Sequence, residues 1–188
     1  MMIRYIADTH FDGADILAYD NRPFDSVEEM NEAMIGRWNS VVGTEDFTWI
    51  LGDFCASEDP ARWAEVLSRL NGRKGLIVGN HDAPACVSTA LAAGLLESAA
   101  EYREIEDGGC HVVLCHYPIP SFHDHYFGWV HLYGHVHTAF EWNIAENSKR
   151  LLKNLYVRPD VCRMANVGAM APYMDYTPRT LEELEEQL

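Results

Sequence analysis

The sequence predicts one layered domain of α/β (α+β) class, and three features point that way. Short apolar runs stop abruptly at Gly, Asp, Asn or His, as buried strands do. Longer segments between them repeat apolar residues at three- and four-residue steps, the period of an amphipathic helix. At 188 residues the chain has the length of a single domain with a sizeable core, and no repeat, low-complexity tract or linker divides it.

Residues 3–7 form the first expected strand and lead directly into Asp8. Ser26 then caps a helix in which Val27, Met30, Met34, Trp38 and Val41 share a face, with Glu29 placed for a capping box. Strand 47–51 follows and runs into Gly52-Asp53. Helix 60–70 starts on Pro60, suited to a first turn, and aligns Trp63, Val66, Leu67 and Leu70. Strand 76–78 ends in Gly79-Asn80-His81-Asp82, and a short helix over 84–91 stops before Gly94. Residues 101–105 and 110–114 read as a hairpin around Asp107-Gly108-Gly109. The apolar run 112–115 precedes His116, strand 130–133 precedes Gly134-His135, and 181–188 is expected to be helical with Leu181, Leu184 and Leu188 on one side.

Composition excludes several classes. Apolar residues at 48% and charged residues at 23% belong to a globular chain, not a disordered or fibrous one. A formal charge of −15 opposes binding to long nucleic acid, whose affinity comes from cationic contacts, and favours a solvated surface. Five cysteines, odd in number and without C-x-x-C spacing, indicate neither a disulfide framework nor a zinc knuckle and suggest a reducing, cytoplasmic setting. No signal-length run precedes Asp8 and no stretch approaches the roughly 20 apolar residues of a membrane span, so neither export nor a membrane partner is expected.

Five strand ends carry groups able to bind metal: Asp8-Thr9-His10, Asp53, Asn80-His81-Asp82, His116 and His135-Val136-His137. In an extended segment residues two apart share a face, which would aim Asp8 with His10 and His135 with His137 at one place. Gly52, Gly79 and Gly134 directly precede these groups, where a side chain would block close approach. Singly, each is an ordinary cap or turn residue; together they read as one metal site whose mixed nitrogen and oxygen set suits manganese, iron, zinc, cobalt or nickel better than calcium. His123 and His125 lie in a loop beyond His116, where lining a substrate pocket and simple surface exposure are equally good readings. His111 and His131 read as structural, and Cys115 as core. Arg22, in Asn21-Arg22-Pro23-Phe24, is a candidate phosphate clamp or an ion-pair partner of the Glu-rich helix start.

In order and spelling, these groups (D-x-H, G-D, G-N-H-D, H, G-H-x-H) resemble the calcineurin-like metallophosphoesterase superfamily. The small bacterial and phage branch is also similar in Asn21-Arg22-Pro23-Phe24, Glu28-Glu29-Met30, Trp38-Asn39-Ser40 and Asn166-Val167-Gly168. The resemblance implies a four-layer α/β/β/α sandwich of two mixed sheets flanked by helices. It implies two divalent transition-metal ions, manganese foremost: Asp8, His10 and His137 on one, Asn80, His116 and His135 on the other, and Asp53 between them. It implies hydrolysis of a phosphomonoester or small phosphodiester by a hydroxide bridging the ions, with His81 contacting the phosphate and protonating the leaving oxygen. Asp82 is then placed to orient His81, and Asn80, His81, Arg22 and His123 to meet the substrate. Phe11-Asp12-Gly13 departs from the branch, where glycine and then histidine commonly follow the phenylalanine, so substrate preference does not transfer. The rival reading is a metal-bearing protein-interaction scaffold with little or no activity; damaged signatures mark such proteins, whereas His81 and all seven ligand positions are present here.

Overall fold

A computed structural model describes all 188 residues, Met1–Leu188. The elements run β1 (Ile3–Ile6), α1 (Ala14–Tyr19), α2 (Val27–Val41), β2 (Phe47–Ile50), α3 (Pro60–Arg69), β3 (Arg73–Ile77), α4 (Pro84–Ala92), β4 (Ser98–Ala100), β5 (Tyr102–Asp107), β6 (Cys110–Cys115), β7 (Val130–Tyr133), α5 (Phe140–Tyr156) and β8 (Arg163–Asn166). They build two four-stranded sheets, ordered β1-β2-β3-β4 and β5-β6-β7-β8. The second is mixed, as expected, because its β5–β6 hairpin is antiparallel and its other pairs are parallel. The first is parallel through all four strands, with one antiparallel bridge from Tyr5 to Arg179.

Alternation along the strands shows how the layers stack. Val112, Leu114, Val130, Leu132 and Ala165 face the main core of 36 residues, while Val113, Tyr133 and Met164 face a smaller cluster that includes Ala145 of α5. On the first sheet Tyr5, Trp49 and Gly75 lie in register across β1–β3. From that face Tyr5 Oη donates to Asp107 at 2.8 Å and Trp49 lies under the Arg103 guanidinium at 5.3 Å, so it looks toward the second sheet. Gly75 is required there: a Cβ would come within 2.5 Å of the Trp49 ring. The opposite face carries Arg4, Thr48 and Lys74, also buried, with Lys74 Nζ donating to the carbonyls of Leu70 and Gly72 at 2.7 Å beyond α3. Both faces of this parallel sheet are covered, as parallel sheets require.

Caps and stripes set the helices. Ser26 accepts from Glu29 N while Glu29 returns a bond to Asp25 N, and α2 buries Met30, Met34, Ile35 and Trp38. Asp59 caps α3 ahead of Pro60, and Trp63, Val66 and Leu67 go into the core. The hairpin turns through Gly108 and Gly109, both at positive φ as a tight two-residue loop demands. Residues 181–188 differ from expectation: they form turns and a single 3₁₀ turn, Glu185–Gln187, closed by i to i−3 bonds. Four glutamates over five positions repel along any helix there and oppose its C-terminal dipole, yet Leu184 is still buried. No helix is long and apolar enough to cross a membrane, and all five cysteines are free.

The two sheets are tied together at one end. Past β1, Ala7 N donates to Val167 O and Ala169 N to Ala7 O, pairing the chain after β1 with the chain after β8. The polar strand ends gather at this seam.

Candidate metal centre

Asp8 and His10 leave β1, Asp53 leaves β2, Asn80 and His81 leave β3, His116 leaves β6, and His135 and His137 leave β7. Asp8, His10, Asp53 and His137 are buried and each presents a ligand atom within 4.8 Å of the others, a group that can hold a metal ion. The remaining positions are contiguous with it. His116 Nε2 is 3.4 Å from Asp53 Oδ2 and 3.1 Å from Asn80 Oδ1, and His135 Nδ1 is 2.9 Å from Asn80 Oδ1. Asp53 Oδ2 lies between the groups, 3.6 Å from His10 Nε2 on its other side.

All seven positions converge, but not by strand alternation. Asp8, His10, Asp53, His135 and His137 have φ of 52°, 47°, 54°, 70° and 47°, in the left-handed region. The extended geometry expected for Asp8/His10 and His135/His137 is therefore wrong in its reason: successive left-handed turns aim these side chains inward. Such conformations cost about 1–3 kcal/mol each and persist where surrounding structure enforces them. Here His135 N donates to both Asp8 oxygens at 3.0 Å, His10 N donates to Asp53 O, and Asn166 Nδ2 holds the His137 carbonyl at 2.8 Å. The glycines leave room for the carboxylates and rings. A Cβ at Gly79 would stand 2.3 Å from Asp53 Oδ1, one at Gly134 2.6 Å from Asp8 Oδ2, and one at Gly52 2.3 Å from His116 Nδ1.

The donor set fits a cation. His116 Nδ1 faces the Leu51 carbonyl at 2.8 Å, which only accepts, so Nδ1 carries hydrogen and a neutral ring turns its Nε2 lone pair toward Asn80 and Asp53 oxygens. His137 repeats this: Nδ1 meets the Asp20 carboxylate at 2.8 Å, and Nε2 looks toward Asp8 Oδ1 at 3.9 Å. His10 Nε2 is buried with no hydrogen-bond partner. Lone pairs converging on oxygens need positive charge among them. Without a metal, protons are drawn in: burial opposes charge on His116, but Asp53 and Asp8 outweigh it and raise its pKa to about 9. Burial opposes ionisation of Asp53, yet His116, the His81 amide and His10 hold it below the usual carboxylate range. Burial lifts Asp8 to about 6 and pushes His10 down to about 3, leaving His10 a neutral imidazole.

A cleft of about 600 Å³ opens over this cluster, lined by His10, Asp53, Asn80, His81, His135 and His137 together with residues of α1. His81 is exposed at its mouth, its ring edge-on to His10 at 5.6 Å and its N–H donating to Asp53 Oδ1 at 2.9 Å. Three further expectations are corrected. Asp82 does not orient the His81 ring; its carboxylate accepts from the amides of Asp53, Phe54 and Gly79 at 2.8–3.0 Å and so clamps two loops together. Arg22 has no group free for phosphate and no bond to the glutamates of α2. Its guanidinium is buried, donating to the carbonyls of Thr9 and Asp8 at 2.8 Å and to Asp20 at 3.0 Å. His123 lies outside the cleft lining, paired with Glu104 at 2.9 Å and packed on Trp129.

His125 is buried in that same loop, and His131 is a buried structural histidine on Val113, Tyr117 and Ile119. Asp20 is the residue the sequence reading missed. It links Arg22 to His137, and its only signal was its position two residues before Arg22.

No family model matches the sequence. The chain is 39% identical over 136 residues to "Uncharacterized protein MJ1445" of Methanocaldococcus jannaschii, covering 72% of this chain and 69% of that one. It is 31% identical over 156 residues to the gene 66 protein of Mycobacterium phage D29, covering 71% of this chain and 78% of the phage protein. The fold is shared with AQ665, a protein of unknown function from Aquifex aeolicus, at a TM-score of 0.70 and 23% identity over 100% of this chain and 99% of that one. By sequence, the chain belongs to the family that contains archaeal MJ1445 and the phage gene 66 protein.

Proposed function

We propose that this protein is a dinuclear metal-dependent phosphoesterase acting on a phosphomonoester or small phosphodiester. The observation that carries the reading is the convergence of imidazole lone pairs and carboxylate oxygens under an open cleft with His81 at its mouth. Asp8, His10 and His137 would hold one ion, Asn80, His116 and His135 the other, with Asp53 shared because its Oδ2 faces both groups. The mixed nitrogen and oxygen set suits a divalent transition metal: manganese, which the family resemblance puts foremost, or iron, zinc, nickel or cobalt. Such ions, when bound, neutralise phosphoryl oxygens and acidify water into a nucleophile near neutral pH.

The chain's own residues do the rest. Asn80 and His81 line the cleft and would meet the phosphoryl group, and His81, exposed at the mouth, would donate a proton to the departing oxygen. Asp82 keeps Asp53 and the Gly79-Asn80-His81 turn in mutual register through three amide bonds. Arg22 fixes the Asp8-Thr9 backbone from beneath. The substrate is a small phosphorylated molecule, and the five free thiols fit a cytoplasmic setting.

The test is metal content of purified protein together with hydrolysis of p-nitrophenyl phosphate and bis(p-nitrophenyl) phosphate with added manganese. The expected result is about two ions per chain and turnover that falls at least 100-fold in His81→Ala with metal content unchanged, within the range set by losing a general acid. Metal-loaded protein that hydrolyses neither ester nor a panel of nucleotides would sink the reading.

A further inference from the structure

The charges around the cleft specify what kind of ester it takes, given the phosphoesterase reading. Beyond the candidate metal ligands and His81, the cleft is walled by Asp12, Gly13, Ala14, Asp15, Ile16, Tyr19 and Ala56. Its charged members are both acidic. The adjoining groove past His81 and Asn80 adds Glu58 and Asp82. No Lys or Arg lines either space. The nearest cations are committed elsewhere: Arg62 Nε and Nη2 hold Asp12 at 2.6 and 2.8 Å and Nη1 holds Glu65 at 2.7 Å, while Arg22 is buried beneath the floor.

An anionic substrate can thus be neutralised at one place only, where the ions bind. A second phosphate or a carboxylate on the departing group would face Asp15 or Glu58 with no counter-charge. The wall does offer apolar surface. Tyr19 is 67% exposed at the cleft, its ring edge-on to His137 at 5.5 Å, and Ile16 is half-buried beside it on α1.

We infer that the departing group of the substrate is flat and uncharged or cationic, carrying a single phosphoryl and no second anionic centre, with Asp15 and Tyr19 as the residues that select it. Asp15 rejects negative charge and Tyr19 supplies a stacking platform. Esters of this class include aryl and nucleoside-like monophosphates; nucleoside diphosphates and triphosphates are disfavoured.

The experiment compares 4-carboxyphenyl phosphate with its methyl ester, 4-(methoxycarbonyl)phenyl phosphate, on manganese-loaded wild type, Asp15→Lys, Tyr19→Ala and Tyr19→Phe. The readout is the ratio of kcat/KM for the two esters, and its change between wild type and Asp15→Lys cancels their intrinsic leaving-group difference. Asp15 is on the surface of α1, so folding should survive, checked by circular dichroism. The expected result is a wild-type preference for the methyl ester that shrinks roughly fivefold in Asp15→Lys. Tyr19→Ala should raise KM for both aryl esters, and Tyr19→Phe should restore it. A ratio unmoved by Asp15→Lys, a KM indifferent to Tyr19→Ala, or no turnover of either ester by protein that still hydrolyses p-nitrophenyl phosphate, its bis ester or a nucleotide overturns the inference while leaving the phosphoesterase reading intact. Protein that turns over none of these overturns that reading, and the inference falls with it.

Discussion

The two halves of the candidate site are built differently. Asp8, His10, Asp53 and His137 form a closed half, with exposures of 0%, 6%, 1% and 7%. The half made by Asn80, His116 and His135 is open: His116 is buried, but Asn80 and His135 are exposed to the cleft. Closed sites saturate an ion with protein groups, whereas catalytic sites leave a position free. On the proposed dinuclear reading, the first half would hold an ion, the second would meet the substrate, and Asp53 would belong to both.

Asp53→Asn is therefore the substitution with the largest expected effect. It should remove metal from both halves and lower kcat at least about 1000-fold, on the order of 4 kcal/mol of barrier. Metal content by elemental analysis decides it: loss of one ion with retention of the other would show that Asp53 serves one half alone.

His131 tests from outside the site whether burial alone makes a histidine a candidate ligand. It is fully buried, but both ring nitrogens are satisfied: Nε2 accepts from Ile119 N at 3.1 Å, which leaves Nδ1 to donate to Val113 O. Burial pushes its pKa down to about 4 from 6.5, only partly offset by the carbonyls of Val113 and Tyr117. The folded state then binds this proton less readily than the unfolded chain. The neutral ring's contribution is fully present above pH 6.5 and is lost as pH falls toward 4. Denaturant titrations of wild type and His131→Gln should show their stability difference shrinking by about 3 kcal/mol across that window. A difference that stays flat with pH would show that the ring titrates normally.

These two predictions concern residues that stand out in the sequence to different degrees, and so do the elements. Residues 130–133 were legible to the residue, because an apolar run ended at glycine and histidine, and α2 and α3 because caps and stripes agreed. The longest helix, α5, was not legible. It buries only Ala145 fully, and Phe140, Ile144, Leu151 and Leu155 point outward, so no stripe marks a core face. β4 is Ser-Ala-Ala, without the β-branched or aromatic residues that announce a strand. In the site, residue types at strand ends picked out seven positions that the fold brings together, five of them in left-handed turns and not by strand alternation. Arg22 shows the limit most plainly. Its charge was visible and its direction was not, since only the fold sets it against Asp20 and two carbonyls instead of the cleft.

Asp20 gives the contrast a smaller and more selective probe. It touches only the closed half, through His137 Nδ1 at 2.8 Å, and fixes which nitrogen of that ring faces Asp8. Carboxylates that orient ligating histidines typically contribute 10–100-fold in metal affinity. Asp20→Asn should weaken one ion by about that factor, some 1.4–2.7 kcal/mol, and leave the other in place. Titration calorimetry with manganese on chelator-treated protein would resolve the two events. Equal weakening of both would mean that the halves are coupled more tightly than their geometry indicates.

The smallest effect is expected at Asp12, on the wall between the closed half and solvent. Its side chain holds Arg62 through two bonds and Asn31 through a third at 2.6 Å, and the bonds to Arg62 are the main cause that its pKa lies below 3.8. A depressed carboxylate stabilises the fold above its unfolded value and loses that contribution as pH falls through the folded one. The Asp12–Arg62 pair should therefore strengthen the fold at neutral pH and weaken below about pH 3.8. Both partners reach solvent, so screening keeps the contribution under about 1 kcal/mol. Asp12→Asn should unfold at slightly lower denaturant than wild type at pH 7, with the two converging as pH falls below 3.8, while metal affinity of the closed half is unchanged. A variant that loses metal as readily as Asp20→Asn would make the wall part of the site, and the boundary between the holding half and the substrate cleft would have to be drawn beyond Asp12 instead of inside it.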